Sequence, residues 1–231
     1  MKNYVVCLKH GTKYSAEYVN TLYNMVSRNL TIDYEFVCIT EDHNNINPQI
    51  TILPLRTNEN ISGWWYKPMV FDPELGLEGN ILFLDLDIVI FNNIDKLFTY
   101  ESEKFCIIKD YYLKKKGKKG MNSSCFRFKS GTNQHVYYDF INQSDSIMKR
   151  LAGDQDWMQE TILDTFIFWP EEWVMSYKWE MYKESDIHKR TNNTYEVTSL
   201  PMFKKESCIS VFHGYPKPHQ IINAWCSDNW R

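Results

Sequence analysis

The sequence predicts an α/β fold, a single domain over residues 1–231 with a mostly parallel central sheet flanked by helices. Three observations lead there. Met1 to Thr40 alternates a strand-like run, a helix-like run and a second strand-like run, the spacing of a parallel βαβ unit. Ile81 to Phe91 (ILFLDLDIVIF) is apolar except for Asp85 and Asp87, the pattern of a strand covered on both faces. Finally, 231 residues at 43% hydrophobic suffice for one large core, and no repeat or linker divides the chain.

The elements follow in order. After the strand-like Met1 to Leu8, a loop from Lys9 to Tyr14 leads to Ser15, an acceptable N-cap, and then to Val19, Leu22, Tyr23, Val26 and Leu30 at helical spacing. Tyr34 to Thr40 reads as the next strand, and Ile50 to Leu53 as a third. Gly63 to Phe71 (GWWYKPMVF) reads as a short helix with Pro68 in its first turn, where a missing N–H is tolerated; packing accounts for its tryptophans as well as function does. Asn93 to Phe98 suggests a helical turn and Phe105 to Lys109 a strand. Tyr111 to Gly120 carries five lysines and two glycines, so it reads as a solvated, mobile loop that does not pack, or one that closes over a phosphate-bearing ligand. Asn122 to Phe128 is strand-like, Gln134 to Lys149 helical, and Gly153 to Trp157 opens a helix reaching about Leu163. Lys183 to Glu196 is polar and expected to be exposed. Cys208 to Phe212 is expected as a final strand that delivers His213 to the edge of the sheet.

Composition excludes some classes of function. With 26 basic and 29 acidic residues the net charge is −3, without the basic footprint of a nucleic-acid binder. Six cysteines lack C-x-x-C spacing and mostly lie in apolar runs, so they read as buried free thiols in a reducing compartment. The N-terminus, Met1 to Leu8, is too short in its apolar part for a signal peptide or membrane span, and a cytoplasmic location is expected. Aromatics reach 16% of the chain, including 8 Trp and 15 Tyr, enough for some to line a pocket as flat platforms.

The chemistry begins with the two carboxylates. A charge in a dry core costs several kcal/mol (order of magnitude) unless paired or metal-bound, so Asp85 and Asp87 are expected where the strand emerges into a cleft. Open α/β sheets bind ligands there, beyond the carboxyl ends of their strands. Mg²⁺ and Mn²⁺ favour oxygen-rich sites made of one or two carboxylates plus a ligand's phosphate oxygens. His213, following an apolar strand, is the best-placed imidazole to join them.

Phe83-Leu84-Asp85-Leu86-Asp87, Asp154-Gln155-Asp156 and His213-Gly214-x-x-Lys217-Pro218 together resemble the GT-A fold glycosyltransferases. Within them the closest resemblance is to family 8, the glycogenin and lipopolysaccharide galactosyltransferase group, or to a neighbouring branch. The match is a set of short islands in family order across most of the chain. It implies transfer of a sugar, with retention, from a nucleotide-sugar donor such as a UDP-hexose to a carbohydrate, lipid-linked or protein acceptor. It also implies Mn²⁺ (or Mg²⁺) on Asp85, Asp87 and His213, donor phosphate on Gly214 and Lys217, and Lys67, eighteen positions before Asp85, on the donor. Asp154, Gln155 and Asp156 would line the sugar and acceptor side, and Tyr14 would stack on the base. The terminal motif departs from the family's H-x-x-G-x-x-K-P-W: Gly214 follows His213 directly and His219 stands in place of Trp. The first loop has Lys9-His10-Gly11 where the family has an acidic pair.

Three other readings share some of these residues. A haloacid-dehalogenase-type phosphatase also ends a buried strand in D-x-D, and Gly153-Asp154 imitates its late acidic motif. That family places D-x-D near the N-terminus and follows it with Gly or Val then Thr, not with Ile88-Val89-Ile90. A nucleotidyltransferase would carry a glycine-rich first loop, of which only Gly11 is present. A non-catalytic nucleotide-sugar-binding module would keep the aromatics without needing the metal-binding set.

Overall fold

The computed structural model describes residues 1–162 and 166–231. A seven-stranded sheet forms its centre. Its strands are β1 (Lys2–Lys9), β2 (Glu35–Thr40), β3 (Thr51–Pro54), β4 (Gly79–Leu84), β6 (Phe105–Lys109), β7 (Met121–Lys129) and β8 (Phe166–Phe168), in the order β3-β2-β1-β4-β7-β6-β8. Strands β1 to β4 run parallel and β7 antiparallel to both of its neighbours. The first βα unit is as expected, with α1 (Ala16–Asn29) burying Val19, Leu22, Met25 and Val26 against the sheet.

Strand β4 shows why an apolar run without alternation belongs here. Leu82 and Leu84 face a core shared with α1, whereas Ile81 and Phe83 face a second core with the 3₁₀ helix Gly63–Phe71 and with α4 (His135–Arg150). Each buried side chain of this kind contributes about 1.5–3 kcal/mol. Period-2 parity then determines where the carboxylates can go: Asp85 continues the Ile81/Phe83 face, and Leu86 stays in the other core.

Past Leu84 the chain leaves the main sheet. The Asp85 N–H donates to the Ser124 carbonyl at 2.9 Å, one step beyond the β4–β7 ladder, and the Asp87 carbonyl accepts from the Phe212 N–H at 3.2 Å. The chain then enters β5 (Ile88–Ile90), part of a separate three-stranded sheet in the order β5-β12-β9, with β9 at Val174–Ser176 and β12 at Ile209–Val211. The Asp-Leu-Asp is thus a corner stitched by its backbone to two sheets.

Several expectations need correction. Strand β12 is the middle of this small sheet, not an edge of the main one, and it is not the last strand, since β13 (Ile221–Ile222) follows. Pro68 is the sixth residue of its helix rather than in the first turn. Lys183 to Glu196 is exposed or half-buried throughout, as expected, and contains β10 (Ile187–Lys189) and the start of β11 (Tyr195–Val197), paired antiparallel. The lysine-rich stretch packs over its first half. Asp110 caps α3 (Tyr111–Lys115) by accepting from the Leu113 N–H, Tyr111 is buried, and Lys114 pairs with Glu171 at 2.9 Å and Glu180 at 2.7 Å. Helix α5 spans Asp154–Thr161; the expected end near Leu163 lies outside the described residues. All six cysteines are free and buried. Among the described residues no helix is long and apolar enough to cross a membrane.

Candidate functional site

A cleft of about 620 Å³ opens over the Asp-Leu-Asp corner, at the carboxyl end of β4. Every residue singled out from the sequence lines it: Tyr14, Lys67, Asp85, Asp87, the Asp154–Asp156 turn, His213, Gly214 and Lys217. They arrive from five places. Tyr14 comes from the loop after β1, Lys67 from the 3₁₀ helix, the two aspartates from the corner, Asp154 from the first turn of α5, and His213 to Lys217 from the segment after β12.

Two ion-pair groups organise the floor. In the first, the buried Lys67 places its Nζ 2.9 Å from Asp85 Oδ1 and 3.5 Å from Asp154 Oδ2, and it donates to the Ser123 hydroxyl at 3.0 Å and the Ser123 carbonyl at 3.2 Å. Ser123 Oγ in turn donates to Asp154 Oδ2 at 2.5 Å. Burial works against the charge on Lys67, but Asp154 and then Asp85 outweigh it, so its pKa lies above the ordinary lysine value. Burial pushes the Asp85 carboxyl above the usual range, and the neighbouring Asp87 and Asp154 push it the same way while Lys67 opposes them.

In the second group Asp87 Oδ2 accepts from the Tyr14 hydroxyl at 2.7 Å and pairs with Lys217 Nζ, which also reaches the Phe212 carbonyl at 3.3 Å. Burial, followed by Asp87, raises the Tyr14 pKa far above its ordinary value, so the phenol stays a donor. The Tyr14 ring packs 4.8 Å from Tyr18. His219, in the place of the expected Trp, fills the space between Tyr18 and Trp230.

His213 stands against the rings of Tyr111 and Trp179, with Nε2 2.6 Å from the Ser176 hydroxyl. Burial, then Lys178, lowers its pKa to about 4, so the imidazole is neutral near pH 7. Gly214 has φ +71°, and a Cβ there would lie 3.3 Å from Lys178 Nζ, which donates to the Tyr215 carbonyl at 3.1 Å. The left-handed backbone favours glycine there, while the lysine tip can give way to a side chain.

The α5 turn divides its tasks. Asp154 joins the Lys67 group, Gln155 Nε2 reaches Asp110 Oδ2 at 3.4 Å, and Asp156 accepts from the Ala152 N–H, just before the helix, at 3.2 Å. Sequence reasoning did not single out Ser123, Ser176, Asp110 or Trp179. Only Ser123 left a signal, the polar corner opening an otherwise apolar strand.

The donor atoms suit a hard divalent cation by type: two carboxylates and a neutral imidazole whose Nε2 is fixed by a hydroxyl, leaving Nδ1 to ligate. Among the described residues, however, no three His, Cys, Asp or Glu side chains are gathered closely enough to hold an ion by themselves, and Lys217 stands on Asp87. The arrangement fits an ion shared with a ligand's phosphates better than one caged by protein alone.

No protein-family model matches the chain, and no relative is found among curated proteins. Likeness appears in three dimensions. The galactosyltransferase LgtC, solved with donor and acceptor sugar analogs, superposes at a TM-score of 0.61 and 12% identity over 97% of this chain and 91% of that one. The glycosyltransferase GlyE of Streptococcus pneumoniae TIGR4 gives 0.58 and 12% over 74% of this chain and 46% of that one. The bifunctional glycosyltransferase WbbM gives 0.58 and 15% over 94% and 46%. The chain therefore spans about half the length of GlyE and WbbM, and at these identities the likeness shows the fold, that of GT-A glycosyltransferases.

Proposed function

We propose that this chain is a glycosyltransferase that moves a hexose from a nucleotide-sugar donor, UDP-hexose by the family resemblance, to an acceptor hydroxyl with retention. The observation carrying this reading is the convergence of Asp85, Asp87, Lys67, Lys217 and Asp154 on one cleft at the end of β4. Three carboxylates against two ammonium groups leave the floor negative, which suits a donor that arrives with its own cation. Asp85, Asp87 and His213 would hold that cation, Mn²⁺ or Mg²⁺. When bound, it supplies Lewis-acid charge to the diphosphate oxygens.

The chain's own residues do the rest. Lys217 leaves Asp87 and turns to the diphosphate, where its charge counts for more as the sugar–phosphate bond stretches than in the ground state. Gly214 lets the backbone approach the same phosphates closely. Lys67 bridges Asp85 and Asp154, so that Asp154, with Gln155, can face the positive charge growing on the sugar. The acceptor oxygen bonds to the anomeric carbon while that carbon's bond to the phosphate oxygen breaks. The electron pair goes to the diphosphate and the hydroxyl proton to a phosphate oxygen.

A panel of nucleotide sugars tests this with Mn²⁺ present, reading thermal stabilisation and release of nucleoside diphosphate. One donor should stabilise and be hydrolysed slowly, and Asp87→Ala should lose both effects. If no nucleotide sugar binds, or if Asp87→Ala binds and turns over normally, the proposal is wrong.

A further inference from the structure

We propose that Trp64 is a stacking platform for the acceptor and that the acceptor is a neutral sugar ring; this deepens the transferase reading and rests on it. Trp64 and Trp65 are adjacent but differently placed. Trp65 is 8% exposed and lies parallel to Phe140, 5.8 Å between ring centroids and 7° between planes, which fixes the rotation of the 3₁₀ helix. Trp64 is 56% exposed and lines the cleft. A large indole left open inside a concave site is not explained by packing.

Its place along the cleft indicates which ligand it meets. In a 3₁₀ helix residues i and i+3 eclipse, so Trp64 stands directly over Lys67, roughly 6 Å further along the axis. Lys67 holds Asp85 and Asp154, where the proposed reaction puts the donor sugar. A step of roughly 6 Å is on the order of one sugar ring, which puts the indole within reach of an acceptor that attacks the donor sugar there.

The surroundings indicate its chemistry. The pyrrole edge of Trp64 rests on Gly153: a Cβ there would lie 3.4 Å from Nε1 and 3.6 Å from Cδ1. Gly153 opens α5, whose Gln155 and Asp156 line the cleft beside the indole. A flat apolar face next to an amide and a carboxylate is what a pyranose requires, with C–H groups on the ring and hydroxyls on the polar edge. Of the cleft's lysines, Lys67 is engaged by two carboxylates, Lys217 lies on Asp87, and Lys13 sits over the Tyr14 ring. The acidic α5 turn beside the indole favours a neutral polyol over a phosphate-bearing acceptor.

The test uses the full chain with Mn²⁺ and the hydrolysed donor, supplying methyl α- and β-glycosides of glucose, galactose and mannose, with glycerol as the non-ring alcohol. Transfer to at least one glycoside should exceed transfer to glycerol. Trp64→Ala should raise the KM for that glycoside at least tenfold, and shift the partition between transfer and hydrolysis at least tenfold toward water. Trp64→Phe should recover most of the loss. Transfer and hydrolysis falling in parallel, an unchanged glycoside KM, or glycerol matching every glycoside would overturn the proposal. A chain that hydrolyses no nucleotide sugar instead defeats the transferase reading. In that case fluorescence titration with the same glycosides decides: quenching in the wild type that is absent from Trp64→Phe supports the platform, and identical titrations refute it.

Discussion

Replacing Lys67 by Met keeps most of the side chain's length and volume while removing the charge that separates Asp85 from Asp154. Both carboxylates stay where they are, because the Asp85 backbone is tied to Ser124 and Asp154 is held by the Ser123 hydroxyl. Deleting one partner of a buried ion pair leaves an uncompensated charge and costs about 3–5 kcal/mol. For a chain of this length each kcal/mol is worth roughly 2–4 °C in Tm, so the melting point should fall by about 10 °C. The loss should depend on pH with a definite sign. The Asp85 carboxyl already titrates above its unfolded value, and Lys67 is what restrains it. Without Lys67 its folded pKa rises further. A raised folded pKa gives stability that is complete below the unfolded value, near 4, and is lost as pH climbs through the folded one. The deficit of Lys67→Met should therefore be full at pH 8 and smaller at pH 5. Urea unfolding of both proteins at the two pH values measures it. A deficit below about 1 kcal/mol at pH 8, or one that grows on acidification, would refute the ion-pair account.

Other outcomes follow from the same geometry. Lys217→Ala should lower kcat for donor turnover by about 100-fold or more, the scale seen when one donor to developing negative charge is removed, as steady-state kinetics would show. Because Lys217 stands on Asp87, Mn²⁺ alone should barely change Tm, whereas Mn²⁺ with UDP at 100 times its Kd should add about 2.7 kcal/mol; equal stabilisation by the ion alone would contradict this. Arg127 is fully buried and donates to the carbonyls of Tyr100, Glu101, Ser102 and Lys104, so Arg127→Leu should cost about 3 kcal/mol or more, read by thermal or urea denaturation.

Much of this was legible in the sequence, for identifiable reasons. The unbroken run of β4 requires a core on each face, and its two acids had to emerge at an edge; the tool for both inferences is desolvation, which acts locally. The α1 stripe was equally plain, since Val19, Leu22 and Val26 repeat at helical period. What stayed hidden depended on partners distant in the chain. Nothing in Cys208 to Phe212 says that it pairs with β5 and β9 in a sheet of its own. The lysine run looked wholly solvated because Glu171 and Glu180, which hold Lys114, and Trp179, whose ring lies 4.2 Å from the Lys115 ammonium, come more than fifty residues later. Ser123 and Ser176 are single hydroxyls, and a serine shows its role only once a neighbour is known.

The corner at Asp85 and Asp87, sewn by main-chain bonds to Ser124 on one side and Phe212 on the other, fixes the two carboxylates independently of the surface segments around it. Exposed segments such as the stretch after α3 can be exchanged, by engineers or by drift, without moving the carboxylates. The converse holds for β12: a one-residue slip there would carry Phe212, His213 and Lys217 away together. Repurposing this scaffold should therefore start at the rim and leave the seam between the two sheets untouched.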